Sequence, residues 1–308
     1  MMQSLVTVIM ITYGHEHYIE QAIRGVFIQK TNFSINLIIA NDGSPDGSDD
    51  VIKAVITEAP DNIQVSYVRH QKNMGMISNF LFALTQAKSQ YVALCEGDDY
   101  WIDPLKLQRQ VRYLEENLDT GMVCGNCLRY METNRSFLKD KVRSNNREIR
   151  LQELFYLNPV VTLTTLFRGS FLPSIIDFFK KDFNPHWKMG DFPIWLLIAM
   201  QAKIVKLGNI DGVYRMLSES ASQRNNIDSE MAFIESAYDI KLFFVKQSGL
   251  SPEYTRIARK ALIAQKLIIS YCHKNRSRAT DVMLHVIKTG EGLSFKNVLR
   301  YIRILVTV

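Results

Sequence analysis

The strongest constraint on this chain is a set of short apolar, β-branched runs separated by helical patterns. Leu5-Val-Thr-Val-Ile-Met-Ile-Thr12 has the character of a strand covered on both faces, and Ile35 to Ala40 repeats it. Between them Ile19, Ala22, Ile23, Val26 and Phe27 share one helical face. A helix is expected over Asp49 to Thr57, a strand at Ile63 to Val68, a helix at Met76 to Lys88 and a strand at Tyr91 to Cys95. Strands alternating with helices at this spacing build βαβ units, hence an α/β fold with a mostly parallel central sheet.

Past the fourth strand the pattern is more varied. Asp103 and Pro104 suit an N-cap and a first helical residue, opening a helix with Leu107, Val111, Leu114 and Leu118 on one face. Gly121 to Met131 reads as a strand, and Glu132 to Glu148, rich in Arg, Lys and Asn, as a mobile loop. Asp191 to Gln201 is expected to be an apolar helix, Ile210 to Met216 a strand, and the chain beyond Asn225 helical. The expected division is a body, residues 1–222, and a helical C-terminal extension, residues 223–308.

Charge and cysteine usage narrow the function classes. The net charge is +6, but residues 236–308 hold 13 Lys and Arg against 4 Asp and Glu, which leaves the rest slightly acidic. A body of that sign is a poor fit for nucleic acid. Four cysteines do not make a disulfide framework. Cys124-Gly-Asn-Cys127 falls in a strand and not at a helix N-terminus, so it reads as structural, and zinc would need a second pair that Cys95 and Cys272 do not form. No apolar run approaches the ~20 residues of a membrane span. No basic region precedes the first apolar segment, so a cytoplasmic chain is expected.

In open parallel sheets, ligands bind beyond the carboxyl ends of the strands. Asp42 follows the second strand, and Glu96, Asp98 and Asp99 follow the fourth, so all four belong to that edge. The plain reading of the second group is a solvated acidic turn. Carboxylates so close repel one another, however, and oxygen ligands without nearby His or Cys suit Mg2+ or Mn2+. A calcium loop starting at Asp42 fails, because Lys53 falls where a bidentate Glu is needed and Pro45 disturbs the turn. Neither a Gly-x-x-x-x-Gly-Lys-Ser/Thr phosphate loop nor a Gly-x-Gly-x-x-Gly after the first strand is present.

Six segments then fall in a telling order: Val6-Thr-Val-Ile-Met-Ile-Thr-Tyr13, Asn41-Asp-Gly-Ser-Pro-Asp-Gly-Ser48, Asn73-Met-Gly75 with Asn79, Glu96-Gly-Asp-Asp-Tyr-Trp101, Gly190-Asp-Phe-Pro-Ile-Trp195 and Tyr214-Arg215. Over residues 4–222 the sequence resembles the family-2 inverting glycosyltransferases, which have the Rossmann-like glycosyltransferase A fold and build bacterial surface polysaccharides. The resemblance implies a nucleotide diphosphate sugar donor, carried on UDP. Thr12 and Tyr13 would flank the nucleotide and Asp42 would accept from a uracil N–H. Asn73, Gly75, Asn79, Glu96, Asp98, Asp99 and Arg215 would complete the donor site. It further implies Mg2+ or Mn2+ on Asp98 with Glu96, and Asp191 as the general base toward an acceptor hydroxyl. Trp187, Gly190 and Trp195 would face the acceptor, with ordinary packing as the competing role for the indoles. Many relatives follow Tyr-Arg with x-His; here Leu217 stands there, which would leave a third metal ligand open and turn Arg215 or Arg224 toward the diphosphate.

The implied acceptor is a glycan or lipid-linked glycan of capsule, lipopolysaccharide O-antigen or exopolysaccharide type. A sugar-1-phosphate nucleotidyltransferase is the first rival, disfavoured because no Gly-rich loop with Arg or Lys follows the first strand. A non-catalytic nucleotide- or glycan-binding protein of the same fold is the second, disfavoured by the retained carboxylates. Near the C-terminus Phe295, Val298, Leu299, Ile302 and Leu305 share a helical face flanked by Lys296, Arg300 and Arg303. Such a face either packs on the body or lies peripherally on an anionic membrane.

Overall fold

The computed structural model describes residues 4–138, 142, 144–217, 226–290, 292 and 294–307; Arg224 lies outside them. In chain order the elements are β1 (Val6–Thr12), α1 (Ile19–Phe27), β2 (Ile35–Asn41), α2 (Ser48–Val55), β3 (Ile63–Arg69), α3 (Met76–Gln86), β4 (Tyr91–Leu94) and β5 (Tyr100–Trp101). There follow α4 (Lys106–Glu116), β6 (Thr120–Met131), β7 (Ser136–Phe137), β8 (Arg147–Ile149), α5 (Leu151–Tyr156), β9 (Leu166–Arg168), α6 (Leu172–Lys181), α7 (Asp191–Ala199) and β10 (Lys203–Met216). The last four helices are α8 (Ile227–Ser248), α9 (Pro252–Cys272), α10 (Arg276–Thr289) and α11 (Phe295–Thr307).

Two compact units share these elements. The first comprises Met1–Ile149, Val160–Phe183 and Leu197–Met216; the second comprises Arg150–Pro159, Asn184–Leu196 and Leu217–Val308. The first unit holds one sheet in the order β3-β2-β1-β4-β9-β6-β10-β5, with β7 added to β6 and β8 to β10. β3, β2, β1 and β4 run parallel, as do β6 and β10, while β9 is antiparallel to both β4 and β6. Val6, Val8, Met10, Leu37 and Ile39 are buried, and they pack with Ile19, Ile23 and Val26 of α1 and Leu107, Val111 and Leu114 of α4. These alternate residues line one face of the sheet; Ile9 and Ile38 on the other are buried as well, which is the two-sided coverage that an unbroken apolar strand demands.

The structure corrects four expectations. The regular turns of α4 begin at Lys106, not Pro104, although Asp103 Oδ1 still accepts from Leu105 N–H at 2.9 Å as a cap would; Gln29 Oε1 accepts from Leu107 N–H at 3.1 Å. The same helix stops at Glu116, since the Arg168 guanidinium takes the carbonyls of Leu114 and Asn117, and Leu118 turns out to 82% exposure. The polar stretch from Glu132 to Glu148 is partly strand: β7 pairs with β6, and β8 pairs antiparallel with β10. β10 itself starts seven residues earlier than its apolar core implies, and it shifts register against β6 between Lys206 and Gly212.

A buried polar network joins α4 to β10. The Lys106 ammonium is fully enclosed, donates to Gln110 Oε1 at 2.9 Å and lies 4.1 Å from the centroid of the Trp101 ring. Gln110 donates in turn to the Thr164 carbonyl and to Asp211, which also pairs with Arg109. Burial pushes Lys106 down to about 8 and Asp211 up to about 6. Cys124 is buried in β6 with its thiol pushed up to about 12 by desolvation, and Cys127 is partly buried; neither is joined in a disulfide, in keeping with the strand reading.

The second unit is helical. Asn226 caps α8 by accepting from Asp228 N–H, and α8 ends on Gly249 in the left-handed region at φ 59°. Ile263 and Leu267 of α9, Ala279, Met283 and Val286 of α10 and Ile304 of α11 form its own apolar cluster. Among the described residues no helix is long and apolar enough to cross a membrane.

α1 lies flush on β5. A Cβ added at Gly25 would sit 2.8 Å from the Trp101 backbone nitrogen and 2.9 Å from its carbonyl oxygen, so only glycine allows the approach. Gly25→Ala should destabilise the protein by ~1–3 kcal/mol, read as a lower urea midpoint at unchanged slope.

Candidate active site

Parallel register sets the site. The pairings Val6–Ile35–Ile63 at one end and Thr12–Asn41–Arg69 at the other make β1, β2 and β3 finish in one row. β4 leaves the ladder at Leu94, opposite Ile9. Its chain nevertheless continues along β1, with Cys95 N–H on the Ile9 carbonyl and Gly97 N–H on the Ile11 carbonyl, both at 3.0 Å. The acidic loop is thereby laid beside Thr12. A Cβ at Gly97 would be 2.8 Å from Thr12 Oγ1 and 3.0 Å from His15 Nδ1, so the close approach depends on the glycine.

One oxygen from each of Glu96, Asp98 and Asp99 lies within 4.8 Å of the others. Asp99 is buried: Oδ1 accepts from Arg215 N–H at 2.8 Å, while Oδ2 is buried without a hydrogen-bond partner. Burial first, then the charges of Asp98 and Glu96, hold the Asp99 carboxyl well above the usual carboxylate range. An orphaned oxygen among carboxylates is stabilised by a proton or by a cation. An all-oxygen donor set of this kind fits a hard divalent ion such as Mg2+ or Mn2+.

Arg215, on β10, underpins the loop. Its guanidinium donates to the Asp98 carbonyl at 2.6 Å and to Gln21, pairs with Glu132 at 3.3 Å, and lies 4.5 Å from the Tyr100 ring and 5.1 Å from the Tyr18 ring. The side chain is 5% exposed, so the structure places it under the acidic loop and gives it protein partners. Asp42 is likewise enclosed. Its Oδ1 accepts from Met74 N–H at 2.8 Å and its Oδ2 from Gly75 N–H at 3.0 Å, which ties the turn after β2 to the loop before α3. Gly75, at φ 90°, also donates to Asn73 Oδ1 at 2.8 Å. Asn79 is buried between the Ala40 carbonyl, to which it donates at 2.9 Å, and His70. Tyr13 is exposed beside the buried Thr12.

His15 is the site residue that sequence reasoning left unassigned. Its Nδ1 is 3.1 Å from Thr12 Oγ1, and burial lowers its pKa against the opposing pull of Asp98 and Asp46. Its position three residues past Thr12 is the signal, which becomes legible only once the loop is known to fold back over Gly97. Tyr18, Gln21 and Glu132 gave no such signal, since they act through Arg215.

Asp191, Gly190, Trp187 and Trp195 belong to the second unit. Asp191 opens α7 and its Oδ1 accepts from Phe192 N–H at 2.7 Å. Trp195 is fully enclosed, and the nearly buried Trp187 meets Phe243 edge-on at 5.3 Å between ring centroids. Both indoles thus have the packing role set beside the acceptor role above. Gly190 is buried.

The model of the glycosyl transferase family 2 matches residues 7–176, and the chain belongs to that family. An uncharacterized protein of Mycobacterium tuberculosis is 40% identical over 114 residues, 37% of this chain and 32% of its own length. The chain therefore matches about a third of such curated relatives. Among solved structures, Staphylococcus aureus TarS 1–349 in complex with UDP-GlcNAc superposes with a TM-score of 0.59 at 14% identity, over 93% of this chain and 92% of that one. The mannosyltransferase PcManGT of Pyrobaculum calidifontis, in complex with GDP-Man and Mn2+, gives 0.61 at 16% identity, over 99% and 85%. These likenesses establish the fold: an α/β glycosyltransferase A type with a mostly parallel sheet, accompanied by a helical C-terminal region.

Asp42→Asn keeps the side-chain shape but supplies one acceptor where Met74 and Gly75 present two N–H groups. A loss of ~1–3 kcal/mol is expected by chemical denaturation. Hydrogen exchange at Met74 and Gly75 should rise first.

Proposed function

We propose that this protein is a glycosyltransferase that moves a sugar with inversion from a nucleotide diphosphate sugar to a hydroxyl of a glycan or lipid-linked glycan, in the synthesis of a bacterial surface polysaccharide. The observation that carries the reading is the trio Glu96, Asp98 and Asp99 at the carboxyl edge of the sheet, with a buried oxygen of Asp99 lacking a partner. UDP is the proposed nucleotide. The TarS complexes with UDP-GlcNAc and UDP support this choice, and the Mn2+ complex of the mannosyltransferase supports a divalent ion.

In this reading Asp98 and Glu96 hold Mg2+ or Mn2+, which when bound offsets the charge of the departing diphosphate. Thr12, Tyr13, Asp42, Asn73, Gly75, Asn79 and Asp99 shape the nucleotide-sugar site. Arg215 keeps the acidic loop in place from below. Asp191 takes the proton of the acceptor hydroxyl as its oxygen bonds to the anomeric carbon and the bond from that carbon to the β-phosphate oxygen breaks. The electron pair leaves with the nucleoside diphosphate, and attack from the opposite side inverts the centre. Residues 1–222 carry this chemistry and residues 223–308 extend it.

A donor-hydrolysis screen with UDP-, GDP- and dTDP-sugars, with and without Mn2+, tests the activity; no release from any donor would sink it. Asp98→Ala should abolish release. Asp191→Asn should lower transfer by ~10²–10⁴-fold with donor affinity retained, the range of general-base assistance. Loss of donor binding in that variant would remove Asp191 from the base role.

A further inference from the structure

The last helix of the second unit turns its apolar side away from the protein. Phe295, Leu299, Ile302 and Val306 recur at intervals of four, three and four residues, one stripe of an α-helix. They are 77%, 48%, 49% and 76% exposed, whereas Asn297 and Ile304, seven residues apart and on the opposite side, are 1% and 2% exposed. The inward side is held by particular contacts. Asn297 donates to the Lys260 and Gly292 carbonyls, the Tyr301 hydroxyl meets Thr280, and Ile304 joins the cluster of α9 and α10. Packing on its own unit therefore leaves the most apolar side of α11 in water. On α10, Leu284 and Ile287 are exposed as well.

Charge decides what covers it. Lys296, Arg300 and Arg303 lie on α11, and Phe295–Thr307 contains no Asp or Glu. Arg303 stands over the Tyr271 ring at 5.3 Å, at the border of the stripe. In a two-fold dimer the same patch meets itself, and each partner would bring its cations against the other's. An anionic bilayer surface complements both features, with acyl chains receiving the stripe and headgroups pairing with the cations.

We infer that α11 is a membrane-surface helix that docks the protein on anionic phospholipid through Phe295, Leu299, Ile302 and Val306, with Lys296 and Arg303 facing the headgroups. The docking rests on the burial pattern and not on the transfer chemistry, so failure of every donor would leave it standing. Where the proposed reaction also holds, it brings the enzyme to acceptors carried on lipid.

Vesicle co-sedimentation of the full chain tests this, using phosphatidylcholine alone or mixed equally with phosphatidylglycerol. The protein should sediment with the mixed vesicles and stay in solution with phosphatidylcholine alone. Leu299→Gln with Ile302→Gln should weaken partitioning by ~10-fold or more, as expected for two buried aliphatic side chains, with the thermal melt unchanged. Lys296→Glu with Arg303→Glu should abolish the preference for phosphatidylglycerol. Failure of the full chain to bind mixed vesicles overturns the inference, as does unchanged partitioning of the apolar variant. Unfolding of that variant would mean that the stripe faces inward, and the inference falls. A dimer in equilibrium sedimentation that the same variant splits would assign the stripe to a second copy instead.

Discussion

Seven consecutive residue pairs hold β1 to β2, and seven more hold β2 to β3, so that Thr12, Asn41 and Arg69 finish level. The loops after β1, β2, β3 and β4 start from that row or are laid against it. A slip of one residue would displace a loop by ~3.3 Å, about the length of a hydrogen bond. The Gly97–Ile11 pairing and the Asp42 contacts with Met74 and Gly75 would both be lost. The buried apolar side chains of Val6 to Met10 and Ile35 to Ile39 therefore do more than fill a core. Their fit against α1 and α4 keeps the register from which the polar edge is built.

Beneath that edge lies a second layer of constraint, electrostatic in kind. Asp99 is enclosed with two carboxylates next to it, a combination that would be severely unfavourable unless positive groups face it. The backbone N–H of Arg215 meets one oxygen and its guanidinium holds the loop at the Asp98 carbonyl. Two tyrosine rings and Glu132 confine the guanidinium in turn. The arrangement is polar and well connected, and it leaves one Asp99 oxygen without a hydrogen-bond partner.

Much of this was legible in the chain. The apolar runs located β1, β2 and β4 within a residue or two, because a strand buried on both faces has few polar alternates to blur it, and the alternation of Ile63, Val65 and Tyr67 located β3. Asp42 and the Glu96–Asp99 group were legible as an edge cluster, because a parallel sheet sends all its carboxyl ends one way. The short strands β5 and β9 were not, since two or three residues carry no periodicity, and β8 hid in a polar stretch. The end of α4 depended on Arg168, some fifty residues away in sequence, so Leu118 looked like core and is not. Arg215 read as a ligand for diphosphate because sequence shows its charge but not Tyr18, Tyr100 and Gln21 around it. The exposed stripe of α11 was visible as a pattern; which way it points needed Asn297 and Ile304 to be seen inside.

The acidic loop is pinned at both ends by groups that are not its carboxylates. On one side Cys95 and Gly97 pair with β1; on the other the Trp101 indole donates to the Leu163 carbonyl at 2.6 Å, and Gly25 seats α1 against the same tryptophan. The backbone path through residues 96–99 is thus anchored by groups other than the side chains at 96 and 98. Those two positions act as interchangeable fittings on a fixed bracket. Descendants of this chain, natural or engineered, can change the side chains at 96 and 98 without rebuilding the sheet that carries them.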